Sequence, residues 1–121
     1  MLLDSNIIIY AAQPQYESLR NWMGETDRSI SLISQVEVLG YHNLSVSEKM
    51  FFDGFFDNFR TLPIDEAIIE KATKLRQQKK MSLGDSIIAA TAIEFGLALA
   101  TANSKDFGWI EGLEIFDPTQ L

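Results

Sequence analysis

The sequence predicts an α/β fold, a three-layer α/β/α sandwich with a central, mostly parallel sheet. Short apolar segments alternate with longer segments of helical periodicity along almost the whole chain. Strands that alternate with helices favour right-handed crossovers, and therefore a parallel sheet covered by helices on both faces. A chain of 121 residues has room for one compact core but not for two, so we expect a single domain over residues 1–121.

Five short apolar segments are typical of buried strands, because polar or turn-forming residues bound each of them. The predicted strands are residues 1–3, 29–32, 60–64, 97–101 and 113–116. The first ends directly before Asp4, and the polar segment 103–106 follows the fourth. In open parallel sheets ligands bind beyond the carboxyl ends of the strands, so we expect a site at that edge.

Segments with helical periodicity fill the intervals between these strands. The predicted helices cover residues 5–12, 16–23, 34–42, 45 or 47 to about 59, 65 to about 80, and 86–95. Ser34 is the expected N-cap of the third helix, and Ser45 or Ser47 that of the fourth. Gly96 is expected to follow the last of these helices as its terminating glycine. That helix is apolar almost all round, which indicates a central helix covered on both sides.

The fourth predicted helix carries five of the eight phenylalanines on one broad face. They are Phe51, Phe52, Phe55, Phe56 and Phe59. We expect this face to pack into the core. Five aromatic rings are also a large load for so small a core, so the alternative is that part of the face forms a patch for a partner.

The composition restricts the chemistry that the chain can perform. It contains no cysteine and a single histidine, His42, which excludes disulfides, thiol catalysis, zinc–cysteine sites and histidine-rich metal sites. Any metal must therefore be held by oxygen. The net charge of −7 argues against broad electrostatic attraction to nucleic acid, although clustered carboxylates that bind divalent cations would also produce an acidic chain.

The chain lacks an apolar run near the roughly 18 residues that a membrane span needs. Asp4 also interrupts the N-terminus before the apolar core of a signal peptide could form. We therefore expect a cytoplasmic protein that does not enter a membrane.

Acidic side chains from distant parts of the sequence are expected at the carboxyl edge of the sheet. Asp4 follows the first strand, Glu37 lies one turn into a helix, Asp85 begins the apolar helix, and residues 103–106 follow the fourth strand. Hard oxygen ligands of this kind suit Mg²⁺ or Mn²⁺, and two such ions could activate a water and stabilise the leaving oxygen of a phosphodiester.

Each of these residues also has a purely structural interpretation. Asp4 and Asp85 are the residue types that cap helices, where the dipole and the unpaired amides favour an acid. Glu37 could be a solvated helix residue, and Asp106 could serve a turn. The joint pattern, rather than any one residue, supports the site.

Three segments together resemble the successive motifs of the PIN family, and in particular the VapC-type toxins of type II toxin–antitoxin systems. They are LLDSNIII near the N-terminus, SQVEVLG, and LGDSIIAATAIEFGLALATANSKDF. The resemblance extends over nearly the whole chain, and the last segment is the most specific.

The resemblance implies a role for individual residues. Asp4, Glu37 and Asp85 correspond to the three nearly universal carboxylates of the family, with Asp106 as a fourth catalytic acid. The implied metal ligands are Asp4, Asp85, Asn103 and Asp106. The hydroxyls of Ser5 and Thr101 match positions that orient the carboxylates, and Asn6 is expected to touch the site.

Two positions depart from the usual motif. Asn103 offers a neutral amide oxygen where many members have an aspartate, so Asp106 is expected to take over or to bind metal through water. Ala102 stands where relatives often have arginine, which removes one phosphate contact.

The activity that the resemblance implies is endonucleolytic cleavage of single-stranded RNA, dependent on Mg²⁺ or Mn²⁺. Water is the nucleophile, and the products carry a 5′-phosphate and a 3′-hydroxyl. The same resemblance implies a toxin that pairs with a cognate antitoxin and forms a homodimer, both through helices of the N-terminal half. A catalytically silent PIN-like module that binds RNA or protein is the alternative.

Basic residues cluster just before Asp85. Five of the ten cations are Lys71, Lys74, Arg76, Lys79 and Lys80. Lys79, Lys80 and Lys105 are candidate contacts to RNA phosphates. The alternative is a solvated outer face favoured by the dipole at a helix C-terminus. Trp22 and Trp109 could stack on bases, although packing inside the protein is the alternative for both.

Other α/β enzymes fit the sequence less well. A phosphoacceptor receiver domain needs an acidic pair after the first strand, where Ser5 and Asn6 follow Asp4. A haloacid-dehalogenase phosphatase needs an aspartate at the position of Asn6. The glycine fingerprints of P-loop and dinucleotide-binding proteins are absent from the sequence.

Overall fold

The computed structural model describes residues 1–25 and 27–120, so positions 26 and 121 of the expected domain lie outside the described part. Five strands form one sheet in the order β3-β2-β1-β4-β5, and every pairing is parallel. The strands are β1 (Leu2–Leu3), β2 (Ser29–Ser31), β3 (Arg60–Leu62), β4 (Leu99–Ala100) and β5 (Ile115–Phe116). Each lies within a predicted strand segment and is shorter than that segment. The predicted α/β class and parallel sheet are confirmed.

Seven α-helices connect or follow these strands within the described residues. They are α1 (Ser5–Ala11), α2 (Glu17–Met23), α3 (Ile33–Leu39), α4 (Val46–Asn58), α5 (Glu66–Gln78), α6 (Leu83–Glu94) and α7 (Ser104–Phe107). Two short 3₁₀ turns, Pro14–Tyr16 and Pro118–Gln120, complete the fold. None of the helices in residues 1–25 and 27–120 is long and apolar enough to span a bilayer.

The alternation of strand side chains produces two hydrophobic clusters, one on each face of the sheet. Leu2 belongs to the cluster beneath α5 and α6, whereas its neighbour Leu3 belongs to the cluster beneath α1, α2 and α4. Leu99 and Ala100 divide in the same way. The strands β1 and β4 therefore contribute to the hydrophobic clusters on both faces of the sheet. Asp4 and Thr101 directly follow these two strands.

The ends of several helices follow local signals that the sequence contains. Ser45 forms a capping box with Glu48 at the start of α4, as one of the two predicted caps. Asp65 caps α5 by accepting the Ile68 N–H at 3.0 Å. Gly96, with φ of +64°, follows α6 in the left-handed conformation that a terminating glycine adopts.

Two predicted helix starts were wrong. Ser34 is not an N-cap, because α3 already begins at Ile33 without a side-chain cap, and the Ser34 hydroxyl is buried inside the fold. The helix predicted from residue 86 begins at Leu83, and its N-cap is Ser82. Asp85 therefore lies within the first turn of α6 instead of at its start, and capping does not account for its side chain. The third helix also ends at Leu39, before the predicted end at residue 42.

The phenylalanine face of α4 is only partly covered. Phe52 and Phe55 are buried, with 2% and 8% of their surface exposed. Phe51, Phe56 and Phe59 pack against the same cluster but remain partly exposed. The expectation that the face packs into the core is confirmed, and its outer rings extend to the surface.

Candidate active site

Asp4 is the buried centre of the carboxyl edge of the sheet. It directly follows β1, and only 4% of its surface is exposed. Its Oδ1 accepts the Ser5 N–H at 2.8 Å, and its Oδ2 accepts the Thr101 hydroxyl at 2.7 Å. Thr101 directly follows the adjacent strand β4 and is itself fully buried. Asp4 thus caps α1, as its structural interpretation predicts, and is also held in one orientation by Thr101 beside the neighbouring strand.

Burial raises the pKa of Asp4 from its ordinary value of 3.8 to about 6. The negative charges of Asp85 and Glu37 act in the same direction, whereas the bonds from Thr101 and Ser5 act against it. The ionised form is therefore costly where it stands. A cation beside it would relieve that cost.

Glu37 reaches the site from α3 and is tied to α1 by a chain of hydroxyls. The Ser5 hydroxyl donates to Glu37 Oε1 at 2.7 Å and lies 2.9 Å from the Ser34 hydroxyl. Ser5 has only one hydroxyl proton, so Ser34 must be the donor to Ser5. The residue predicted as a helix cap is therefore the buried end of a relay that orients Glu37.

Glu37 also lies across the first turn of α6. A Cβ atom built on Gly84 would overlap Glu37 Oε2 and lie 2.9 Å from Glu37 Cδ. Only glycine at position 84 leaves room for the carboxylate in this place. Nothing in the local pattern around Gly84 signals this contact, because the two residues are far apart in sequence and meet only in the folded chain.

Asp85 points from the first turn of α6 toward the same edge and is half-buried. Burial raises its pKa, and the charges of Asp106 and Glu37 add to that effect, whereas a hydrogen bond with Ser82 opposes it. The charges of neighbouring carboxylates thus raise the pKa of both Asp4 and Asp85. Direct contacts link the segments that carry these acids: Ser5 donates its N–H to Asp4 and its hydroxyl to Glu37, Glu37 lies against Gly84, and Asp85 lines one cavity with Asp106. We call Asp4, Glu37, Asp85 and Asp106 the acidic cleft.

Asn103 and Asp106 lie beyond β4 on the open side of the acidic cleft. The Asn103 N–H donates to the Thr101 hydroxyl oxygen at 3.0 Å, and its exposed side chain makes no capping bond to α7. Asp106 is exposed in α7, and its N–H donates to the Asn103 carbonyl. Asn103 is therefore linked through Thr101 to Asp4.

Asn6 follows Ser5 in α1, and both polar atoms of its side chain are buried without a partner in the described structure. A buried amide without hydrogen bonds is unfavourable and is uncommon in folded proteins. The prediction that Asn6 touches the site stays a prediction, and the unpaired amide lies two residues after Asp4 in the chain.

The chemistry of the acidic cleft fits a divalent cation. All its side-chain donors are oxygens, which Mg²⁺ and Mn²⁺ prefer. Both ion pairs found among the described residues, Lys49–Asp53 and Lys74–Glu70, lie outside it, so no lysine or arginine neutralises these acids within 4.0 Å. In the same residues no three Asp, Glu or His side chains approach to metal-ligand spacing. Like-charged carboxylates repel, and a bound cation would supply the missing attraction.

A cavity of about 610 Å³ adjoins the acidic cleft and is lined by basic residues. We call it the basic groove; its walls include Arg76, Lys79, Lys80, Lys105, Trp109, Asp85 and Asp106. All three lysines predicted as phosphate contacts line it. Lys71 and Lys74 of the predicted basic cluster do not, and Lys74 instead pairs with Glu70 at 3.4 Å. Trp22 is buried in the core on the opposite face of the sheet, which leaves Trp109 as the tryptophan near the site.

A known domain family and a curated relative match most of this chain. The PIN domain family model matches residues 1–110. Ribonuclease VapC10 from Mycobacterium tuberculosis (strain CDC 1551 / Oshkosh) is 29% identical, over 94% of this chain and 90% of that protein.

Solved structures agree with this relationship. A toxin–antitoxin complex from Klebsiella pneumoniae contains a chain that superposes with a TM-score of 0.79 at 31% identity, covering 97% of this chain and 96% of that chain. A chain of FitAcB from Neisseria gonorrhoeae gives a TM-score of 0.77 at 27% identity, with 99% of both chains covered. The resemblance inferred from the motifs is confirmed, and this chain is a member of the PIN domain family.

Proposed function

We propose that this chain is an endoribonuclease that cleaves single-stranded RNA with the help of Mg²⁺ or Mn²⁺, and that it is the toxin of a toxin–antitoxin pair. The observation that carries the proposal is that Ser5 donates its N–H to Asp4 and its hydroxyl to Glu37, while Glu37 lies against Gly84, the neighbour of Asp85 in α6. Membership of the PIN family, a relative named as a ribonuclease, and the toxin–antitoxin complex among similar structures support it.

Asp4, Asp85, Asn103 and Asp106 are the residues that we assign to hold the cation. A divalent ion held there would polarise the phosphodiester and make a nearby water more acidic. Asp4 is held by Thr101 and Ser5 and so presents a fixed carboxylate. Asn103 contributes an amide oxygen without charge, and Asp106 retains the negative charge on the open side.

Glu37 is the group that we assign to orient and deprotonate the attacking water. It is exposed to solvent, and Ser5 fixes one of its carboxylate oxygens. The oxygen of the water forms a bond to phosphorus while the bond from phosphorus to the 3′ oxygen breaks. The proton of the water passes to the Glu37 carboxylate, and the 3′ oxygen takes a proton from solvent. The products are a 5′-phosphate and a 3′-hydroxyl.

Lys79, Lys80 and Lys105 are proposed to contact the RNA phosphates. They line the basic groove together with Asp85 and Asp106. A local basic surface of this kind would allow a chain with a net charge of −7 to bind RNA. Attraction to the RNA backbone would then be confined to the surface next to the cleft.

We place this chain in the cytoplasm, and its proposed protein partners are a cognate antitoxin and a second copy of the chain. Exposed apolar side chains in the N-terminal half support a protein contact there: Val36 is 68% exposed, Val46 79% and Met50 71%. Covering such residues is a common function of a partner surface.

A catalytically silent binding module is the second candidate, and the amide at Asn103 is the observation that favours it. An uncharged donor weakens the grip on a divalent cation relative to a fourth carboxylate. The two candidates differ in whether the carboxylates of the acidic cleft are required. A ribonuclease needs them for cleavage, whereas a binding module binds RNA without them.

The test is cleavage of a labelled single-stranded RNA by the wild type, Asp4→Ala, Asp85→Ala and the control Asp57→Ala, which changes an exposed acid of α4. We expect cleavage with Mg²⁺ or Mn²⁺, none with EDTA, and a loss of at least about 1000-fold in the first two variants, comparable to the removal of a central catalytic group. Circular dichroism checks that each variant is folded. Metal-independent RNA binding that all variants retain, without cleavage, would establish the binding module instead.

A further inference from the structure

The basic groove contains an aromatic ring fixed beside its cations. Trp109 packs against the hydrophobic core cluster and also lines the groove, so one part of the ring is supported while another part remains accessible. Its indole N–H donates to the Asp106 carbonyl at 3.0 Å, which fixes the ring relative to the acidic cleft. A flat apolar surface in a defined orientation is what a stacking contact with a nucleobase requires.

One cation of the groove lies over this ring. Lys79 Nζ lies 5.6 Å from the centroid of the Trp109 ring, within the range of a cation–π contact. Arg76 Nε donates to the Met81 carbonyl at 3.2 Å, which fixes the guanidinium near the turn before α6. Four of the ten cations of an acidic chain line this one cavity. Charge and aromatic surface therefore occur together at the entrance to the acidic cleft.

We propose that the basic groove binds one unpaired nucleotide next to the scissile phosphate, with its base on Trp109 and its phosphate among Lys79, Lys80 and Lys105. This rests on the proposed function, since it extends the path of the RNA away from the cleft. The volume of about 610 Å³ is within the usual size of small-ligand pockets and is sufficient for a nucleotide.

Stacking on Trp109 would also make the groove selective for single strands. A base inside a duplex already stacks on its neighbours through both faces, whereas an unpaired base can turn out onto an aromatic side chain. The selection depends on the shape and charge of the groove and needs no base-specific hydrogen bond. We therefore expect affinity for many sequences, provided that they are unpaired.

The experiment measures oligonucleotide binding without metal, because the probe is then not cleaved during the measurement. The probe is a fluorescein-labelled 2′-O-methyl oligonucleotide of mixed sequence, single-stranded or annealed to its complement, in EDTA. Fluorescence anisotropy compares the wild type with Trp109→Leu, Trp109→Phe, Lys79→Ala and the control Lys74→Ala. In a Trp22→Phe protein, quenching of the remaining tryptophan reports stacking directly.

We expect Trp109→Leu to weaken single-strand binding by about 10-fold or more, in the range measured for single stacking residues, and Trp109→Phe to retain most of it. Lys79→Ala should weaken binding several-fold and lower its salt dependence, because one phosphate contact is lost. Lys74→Ala should bind like the wild type, the duplex should bind more weakly, and the single strand should quench Trp109.

Equal binding by Trp109→Leu and the wild type, equal affinity for the duplex, or an equal effect of Lys74→Ala would overturn the inference. If Trp22→Phe does not fold, the anisotropy series in the wild-type background still decides. Failure here, with cleavage still lost in Asp4→Ala, removes only the nucleotide site. Binding as expected, with no cleavage by any protein, removes the ribonuclease and retains the groove.

Discussion

The acidic cleft and the basic groove share a wall at Asp85 and Asp106 but are built in different ways. The carboxylates of the cleft come from positions 4, 37, 85 and 106, and buried hydroxyls hold the inner ones in place. Most cations of the groove come from one segment at the end of α5, and they are exposed. The cleft thus depends on tertiary contacts and fixed geometry, whereas the groove depends mainly on charge density. Changes in the cleft should have steep effects, and changes in the groove should have graded effects.

The largest expected effect outside the carboxylates themselves concerns Gly84. Gly84→Ala places a methyl group where the Glu37 carboxylate lies, so that the flexible glutamate side chain must move away from Ser5. We expect cleavage to fall by about 10- to 100-fold, as for the loss of an orienting contact. The free energy of unfolding should stay equal or rise by up to ~1 kcal/mol, because alanine favours a helix over glycine.

The matched control for this variant is Gly54→Ala. Gly54 lies in α4, and a methyl group there would meet nothing within 4 Å. It should give a similar gain in urea unfolding experiments and leave cleavage unchanged. Full activity in Gly84→Ala would contradict the assigned position of Glu37.

A smaller effect is expected from the hydroxyl of Thr101. Thr101→Val removes the buried donor to Asp4 Oδ2 and the acceptor of the Asn103 N–H. We expect about 10-fold slower cleavage and a loss of about 1–2 kcal/mol in stability, since a buried carboxylate loses a hydrogen bond. Thr101→Ser should restore cleavage. Thr91→Val, which removes another buried hydroxyl that donates only within α6, should cleave normally, and any comparable loss of cleavage there would point to a general packing effect.

The sheet was the most predictable part of the molecule, because apolar runs bounded by polar residues mark buried strands locally. Asp4 could be placed for the same reason, since it directly follows such a run. Ser34 was misassigned because its partner, Ser5, is 29 residues away, and a serine near a predicted helix start is locally indistinguishable from a cap. Gly84 could not be assigned a role at all, because its neighbour Glu37 becomes visible only after α3 and α6 pack together. The motifs predicted which acids form the site, and the fold shows which hydroxyls donate hydrogen bonds to two of them, Glu37 and Asp4.

The pH dependence of stability tests the acidic cleft in the absence of metal. The folded-state pKa of Asp4, about 6, exceeds that of an unfolded chain. The contribution of Asp4 to the stability of the folded protein is therefore fully present below pH ~4 and is lost as the pH rises through about 6. Asp4→Asn should be more stable than the wild type by about 1–3 kcal/mol near pH 8 in EDTA, with the difference vanishing near pH 4.

Urea unfolding at several pH values measures this difference, with Asp57→Asn as the control that should show none. A pH-independent difference between Asp4→Asn and the wild type would mean that burial of Asp4 does not penalise its ionised form.

The smallest effect is expected in the basic groove. Lys105→Gln removes one exposed cation from a cavity lined by four. We expect a decrease of about 2- to 4-fold in kcat/KM at low salt that diminishes at high salt, because exposed charges are screened there. Lys49→Gln, on α4 and paired with Asp53 outside the groove, should show no decrease. A salt-independent loss in Lys105→Gln would show that Lys105 acts by a fixed contact, like a residue of the cleft.

We expect the acidic cleft to hold a divalent cation at the carboxyl edge of the sheet. Crystals soaked in Mn²⁺ test it most directly, because anomalous scattering locates the ion without any assay of activity. We expect an anomalous peak in contact with carboxylate oxygens of Asp4 and Asp85 in the wild type, and no peak in Asp85→Ala. A peak elsewhere, or an unchanged peak in Asp85→Ala, would contradict it.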